Sequence, residues 1–233
     1  MGYVERASRV PGAVVWSAEP EPEPEPGGGG GGGGTVLPDG CMDLLWSEGR
    51  LLVAGPDTRA HRPDGSAPYT GVRFAPGTAA PVLGVPAHVL RDRRVDLAEL
   101  WSAREVGALA ARIAAAADPA VALEALAARR WAARRADPLV ARIVAGLRAG
   151  RTVGAVADEV GLGARGLHRR SLEAFGYGPK TLARVLRFQR ALALVRSGTG
   201  HADAAQRTGY ADQAHLARET RALAGTTLGR LAP

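Results

Sequence analysis

Twice in its last third this chain of 233 residues spells a short apolar-striped helix, a glycine stop and a second helix. Val153, Val156, Ala157 and Val160 recur at helical spacing, and Gly161-Leu162-Gly163 breaks that pattern sharply. A second helix is predicted over Ala164 to Phe175, with Leu167 and Phe175 inward and Arg165, His168 and Arg169 on its other face. The pattern recurs as a helix over His201 to Thr208, a turn at Gly209-Tyr210, and a helix that Asp212 caps and that runs to about Ala224. There Leu216 and Leu223 face inward, while Gln213, His215 and Arg218 can face out. Between the two, Pro179 to Ser197 reads as one continuous helix with Leu182, Val185, Leu186, Leu192 and Val195 on its buried stripe. At 1.5 Å per residue it spans roughly 25 Å. Helix, tight turn and basic-faced helix form the helix-turn-helix pattern, whose second helix enters a DNA major groove.

Charge divides the chain in the same way. Up to Pro138 there are 15 basic and 17 acidic residues; from Leu139 onward there are 15 basic and 6 acidic. A near-neutral front and a strongly basic back predict two functions on one chain, the back one facing a polyanion. Only Lys180 is a lysine, and the Ala/Arg/Gly/Pro bias fits a GC-rich coding background, so a high isoelectric point alone carries little. No apolar stretch approaches the roughly 20 residues of a membrane span. No apolar region follows the two N-terminal arginines, so no secretory signal is expected. The single cysteine, Cys41, has no internal disulfide partner. These features together predict a cytoplasmic protein.

The front third reads as short strands and turns. Ala13 to Trp16, Met42 to Trp46, Arg50 to Ala54 and Tyr69 to Phe74 are the candidate strands, and Ser47-Glu48-Gly49 is a hairpin signal. Pro38-Asp39-Gly40, Pro63-Asp64-Gly65 and Pro76-Gly77 punctuate them. Glu19 to Pro26 alternates glutamate and proline, and eight glycines follow from Gly27 to Gly34; this low-complexity run reads as an expanded loop between strands. After Val95 the pattern turns helical, with Leu97, Leu100, Val106, Leu109 and Ile113, then Val121, Leu123 and Leu126. Asp118-Pro119 and Asp137-Pro138 each supply an N-cap followed by proline at the first helical position. The fold class expected is α+β. A small barrel- or sandwich-like β-rich domain over 1–95 and a helical connector over 96–136 precede an all-α domain over 137–233.

The tail from about Pro138 resembles the DNA-binding domain of AraC/XylS-type transcriptional regulators. The matching segments are Val156-Ala157-Asp158-Glu159-Val160-Gly161-Leu162, Leu167-His168-Arg169-Arg170, Gly176-Tyr177-Gly178-Pro179, and Gly209 to Leu216 with Arg218. The resemblance implies seven helices, two helix-turn-helix motifs and contact with two successive major-groove segments. Placed on the family pattern, the base-facing positions are Arg165, His168 and Arg169 in the first unit and Gln213, Ala214, His215 and Arg218 in the second. Arginine can grip guanine O6 and N7 with two hydrogen bonds, and glutamine can do the same for adenine. Arg170, Lys180, Arg184, Arg187 and Arg190 are candidate phosphate contacts or solvated charges. The chain departs from the family at Ser171, where an aromatic is usual, and at Gly163, where a capping serine is usual. Ser171 is expected to bond back to the preceding turn, and the start of that helix to be soft.

Val36 to Trp46, followed by Ala54-Gly55-Pro56-Asp57-Thr58, looks like the N-terminal domain that accompanies such tails in actinobacterial-type proteins. The resemblance implies an effector-sensing or dimerising role there. A second function class keeps the tail as a DNA anchor for an enzyme or redox sensor using Cys41; Asp43 beside it would raise the thiol pKa and disfavour that chemistry. A third is a non-specific nucleic-acid binder. His61 with Asp57 or His88 forms no close metal-binding set, and Trp16, Trp46, Tyr69 and Phe74 read as core before pocket. The expected function is a sequence-specific, non-enzymatic DNA-binding regulator without cofactor or metal. Double-stranded DNA is its partner; RNA polymerase and a small-molecule effector are further candidates. It would have no membrane association and act as monomer or homodimer.

Overall fold

The computed structural model describes residues 2–19, 35–63, 67–133 and 137–232. The glutamate–proline and glycine run beyond Glu19 and the Asp64-Gly65 turn lie outside the described residues.

Five strands, β1 (Tyr3–Ala7), β2 (Ala13–Ala18), β3 (Met42–Ser47), β4 (Arg50–Ala54) and β5 (Tyr69–Phe74), join a later one, β6 (Arg94–Asp96), in one antiparallel sheet. Its order is β1-β2-β5-β3-β4-β6. β3 and β4 form a hairpin in which Ser47 pairs with Arg50 across Glu48-Gly49. Alternation along the strands decides the faces. Val15, Leu44, Val53, Val72 and Phe74 are buried on one side, where helices form the second layer. The strands centred on Val15, Leu44, Val53 and Val72 match the expected segments, whereas β1 and β6 went unread. β1 is exposed throughout and β6 is three residues long, so neither carries an apolar signal.

The helices of that second layer are α1 (Ala79–Leu83), α2 (Ala103–Ala114) and α3 (Pro119–Ala132). Ser102 caps α2 and Asp118 caps α3, with Pro119 at its first position. Val106, Leu109, Ile113, Leu123, Leu126 and Ala127 from α2 and α3 join the core of the sheet. Leu97 and Leu100, read as helical, belong to a single 3-10 turn over Leu97–Glu99 and its cap.

One buried charge ties the edge of the sheet to this layer. Glu124 of α3 is 2% exposed. It accepts hydrogen bonds from Arg6 Nη2 at 2.9 Å, Ser8 Oγ at 3.1 Å and the Arg9 backbone N–H at 2.6 Å. Burial pushes its pKa up, but these donors outweigh burial and bring it down to about 2.

Seven further helices follow among the described residues: α4 (Pro138–Arg148), α5 (Val153–Val160), α6 (Ala164–Phe175), α7 (Pro179–Arg196), α8 (His201–Thr208), α9 (Gln213–Ala224) and α10 (Leu228–Leu231). They enclose two apolar clusters. One gathers Ile143, Leu147, Val156, Leu167, Phe175 and Tyr177 around Leu182 and Leu186. The other gathers Ala204, Ala205, Tyr210, Leu216 and Leu223 around Val185, Phe188 and Leu192. Among the described residues, no helix is long and apolar enough to cross a membrane.

In Glu124→Gln the amide oxygen can still accept from Ser8 and Arg9, but the charge is gone and an NH2 donor faces Arg6, so the variant is expected to cost about 2–3 kcal/mol at pH 7. Because the folded pKa lies below the ordinary carboxylate value, this stabilisation is present above about pH 4.5 and fades toward pH 2. Urea unfolding of both proteins at pH 7, 4 and 3 should therefore show the difference shrinking. A difference that stays constant contradicts the assignment.

Candidate nucleic-acid interface

The two helix pairs are closed by the same hydrogen bonds. Gly161 and Gly209 sit in the left-handed region at φ 68° and 79°, where a side chain would be strained. The Gly161 N–H donates to Asp158 O at 3.2 Å and the Leu162 N–H to Ala157 O at 2.9 Å. In the second pair, the Gly209 N–H donates to Gln206 O at 3.2 Å and the Tyr210 N–H to Ala205 O at 2.9 Å. Leu162 and Tyr210 then turn inward and pack against their respective cores. Each turn thus delivers the next helix, α6 or α9, with one face buried and one face free.

Their starts differ. Asp212 Oδ1 accepts from the His215 N–H at 2.6 Å and caps α9. Gly163, at the start of α6, offers no side-chain cap, as the sequence leads one to expect. The other departure resolves differently from expectation. Ser171 is fully buried in α6, but its Oγ has no hydrogen-bond partner among the described residues and makes no bond to the preceding turn. Leu167, Ala174 and Phe175 pack around that side of the helix.

Arg165, His168 and Arg169 lie on the exposed face of α6, and Gln213, Ala214 and Arg218 on that of α9. Among the described residues Arg165, Arg169 and Arg218 carry no ion pair. His168 is exposed yet held: its ring covers Gly178, where an added Cβ would fall 2.8 Å from His168 Cε1. His215 is half-buried. It stands edge-on to the Tyr210 ring with centroids 5.2 Å apart, and its Nδ1 accepts from the Ala211 N–H at 3.4 Å.

Between the two pairs runs a groove of about 470 Å³, lined by Arg151, Lys180, Arg184, Arg187, Arg190 and His215. Lys180, Arg184, Arg187 and Arg190 come from one face of α7, while Arg151 and Thr152 stand at the start of α5. Sequence spacing did not single out Arg151; its place just before a helix N-terminus is the signal that could have found it.

These cations are engaged unequally. Arg184 Nε donates to Glu219 Oε2 at 2.6 Å, joining α7 to α9. The Arg187 guanidinium lies 4.4 Å from the Tyr210 ring centroid and donates to Gly209 O at 3.4 Å. Arg190 rests against Gly150, and its Nε is buried without a partner among the described residues. Lys180 is exposed. Arg170 lies elsewhere: it pairs with Asp137 and Glu173, which binds α6 to the start of α4. That contact raises the Arg170 pKa and, against the effect of burial, lowers that of Asp137.

The front domain offers less. The Cys41 thiol is pushed well up, by burial first and then by the Asp39 and Asp43 carboxylates, so the reactive thiolate is disfavoured. Asp43 itself is raised to about 6 by burial, with Arg73 at 3.1 Å and Trp16 Nε1 at 2.7 Å opposing the rise. Asp57 is held by Arg94 through two bonds of 2.7 and 2.6 Å, and no three metal-ligating side chains gather among the described residues. Phe74 is core and Trp46 packs against it, whereas Trp16 lies on the opposite sheet face beside Asp43.

Residues 156–232 match a family described as helix-turn-helix domain, and residues 16–96 match a domain of unknown function (DUF6597). No curated protein has a matching sequence. A solved structure described as a probable AraC family transcriptional regulator from Rhodopseudomonas palustris is 25% identical, with 42% of this chain and 100% of that one covered and a TM-score of 0.36. An apo variant of ToxT from Vibrio cholerae is 9% identical over 96% of this chain and 98% of that one, with a TM-score of 0.47. ToxT bound to an unsaturated fatty acid is 11% identical over 85% and 89%, with a TM-score of 0.44.

Ser171→Ala deletes a buried hydroxyl that has no partner, and is expected to stabilise the protein by about 1 kcal/mol. Denaturant unfolding checks this; a loss of stability would show that the hydroxyl is satisfied after all.

Proposed function

We propose that this chain, which carries a helix-turn-helix domain behind a domain of unknown function, is an AraC-type DNA-binding transcription regulator with the following division of labour. Two reading units enter successive major-groove segments, and the DNA backbone between them passes along the basic groove. The observation that carries this reading is the pair of identically bonded glycine turns, together with a groove lined by arginine and lysine between the start of α5 and the second turn. At 1.5 Å per residue the 18 residues of α7 span about 27 Å, which sets the units within reach of segments one DNA turn, roughly 34 Å, apart.

Roles follow from exposure and pairing. Arg165, Arg169, Gln213 and Arg218 read base edges, with Ala214 offering a methyl contact to thymine. His168 and His215, held by Gly178 and Tyr210, add shorter-range contacts at each helix start. Lys180 and Arg190 hold phosphates, and so does whatever donor capacity Arg151 keeps beyond its pair with Glu159 and Arg187 keeps beyond Tyr210 and Gly209. Arg170 and Arg184 act by fixing helices, since each already spends its guanidinium on carboxylates.

The N-terminal domain is the place where an effector acts on this reading. It abuts the first unit directly: a Cβ on Gly77, in the β5–α1 turn, would fall 2.3 Å from Val140 Cγ1 and 2.8 Å from Phe175 Cε1. Nothing about Cys41 favours the alternative of a DNA-anchored redox sensor or enzyme, because its thiol is held in the protonated form.

Fluorescence anisotropy on a preferred duplex and on a scrambled one separates the roles. Arg169→Ala and Arg218→Ala should each cost about 1–3 kcal/mol on the preferred duplex and much less on the scrambled one. Lys180→Ala and Arg190→Ala should weaken both duplexes alike and flatten the salt dependence by about one ion each. A wild-type chain that binds both duplexes equally contradicts sequence-specific reading.

A further inference from the structure

The front domain does more than abut the first unit: two of its loops reach past that unit and hold the second one. Val36 and His61 zip these loops together through backbone bonds of 2.8 and 2.9 Å. Next to that bridge, Leu37 packs into the apolar cluster of α7, α8 and α9. The carbonyl of Pro38 accepts from Gln189 Nε2 of α7 at 2.7 Å. The backbone N–H of Ala60 donates to Leu223 O at 2.7 Å. Leu223 belongs to the last turn of α9, whose carbonyls lack helical partners, so the loop caps the helix from outside.

The same two loops are also wedged against the first unit. A Cβ on Gly176 would fall 2.5 Å from Pro56 Cγ, and one on Gly40 would fall 3.2 Å from Leu182 Cδ1. Tyr177, which follows Gly176, is 2% exposed and walled in by this contact. The described residues 36–40 and 56–61 therefore form one strap that touches the end of α6, the middle of α7 and the far end of α9.

We infer that this strap sets the distance and angle between the two reading units, making Leu37, Pro38 and Ala60 positioning residues for operator spacing. The inference rests on the two-unit reading above. The lever is simple: α9 has 12 residues and is about 18 Å long. Its base-reading residues run from the first position, Gln213, to the middle of the helix, Arg218, and the strap holds the far end, so a shift at Leu223 tilts the helix and moves Gln213 most. Adding one base pair between half-sites displaces the second by about 3.4 Å and rotates it by about a tenth of a turn. Without the strap, that displacement is resisted by the packing of α7 against α8 and α9 and by the contacts of Arg184 with Glu219 and of Arg187 with Tyr210 and Gly209.

The test is selection from duplex libraries in which the two half-sites are separated by spacers of varied length, using the full chain. Ala60→Pro removes the N–H that reaches Leu223, Gln189→Met removes the donor to Pro38, and Leu37→Ser weakens the apolar anchor. The wild type should favour one spacer by about tenfold or more over its neighbours. The variants should keep the same half-site bases but lower that preference to about threefold or less. A purely structural contribution would weaken all spacers together and leave the ratio unchanged, which would overturn the inference. If Ala60→Pro does not fold, the two side-chain variants decide. A wild-type chain that selects no two-part site overturns the two-unit reading itself, and the spacing inference with it.

Discussion

The helical half of this protein depends on how α7 divides its apolar surface. Leu182 and Leu186 belong to the first core, and Val185, Phe188 and Leu192 to the second. Because one continuous helix supplies side chains to both clusters, neither unit can move far without opening a cavity in its own core. Burying a Leu or Phe side chain is worth about 1.5–3 kcal/mol, so the coupling is strong. The helix's remaining face, which carries Lys180, Ala183, Arg184, Arg187 and Arg190, becomes the cationic floor of the groove.

Charge on that floor is used in two ways, and the difference is a matter of neighbours. Arg184 and Arg187 are close enough to Glu219 and Tyr210 to spend their guanidinium groups inside the protein. Lys180 and Arg190 have no such partner among the described residues. A run of arginines in sequence thus separates into groups that orient α9 and groups free for a polyanion. Arg170 follows the first pattern at the other end of the domain, where Asp137 both caps α4 and accepts from it.

Much of this was legible in the sequence because it rests on local rules. Glycines after apolar stripes, aspartates before prolines and a two-residue hairpin turn each encode their own structure. The helices from Pro138 to Ala224 accordingly stand where the residues place them. What escaped was non-local. β1 has no apolar alternation because it is an outer strand with solvent around it, and the five-residue α1 contains Pro81 and is too short to propagate on propensity alone. The pairing of Arg184 with Glu219, 35 positions apart, and the reach of Leu37 and Ala60 to α7 and α9 exist only once the chain is folded. Ser171 was legible as a departure, but not as a hydroxyl left without a partner.

The account stands or falls on whether one chain reads two DNA segments. Selection of bound duplexes from a fully random library by the purified chain tests that directly. The account predicts a motif of two short blocks whose centres lie about one helical turn, roughly 10 base pairs, apart, with the central pairs unconstrained. A single block, or no enrichment at any salt concentration, would contradict it.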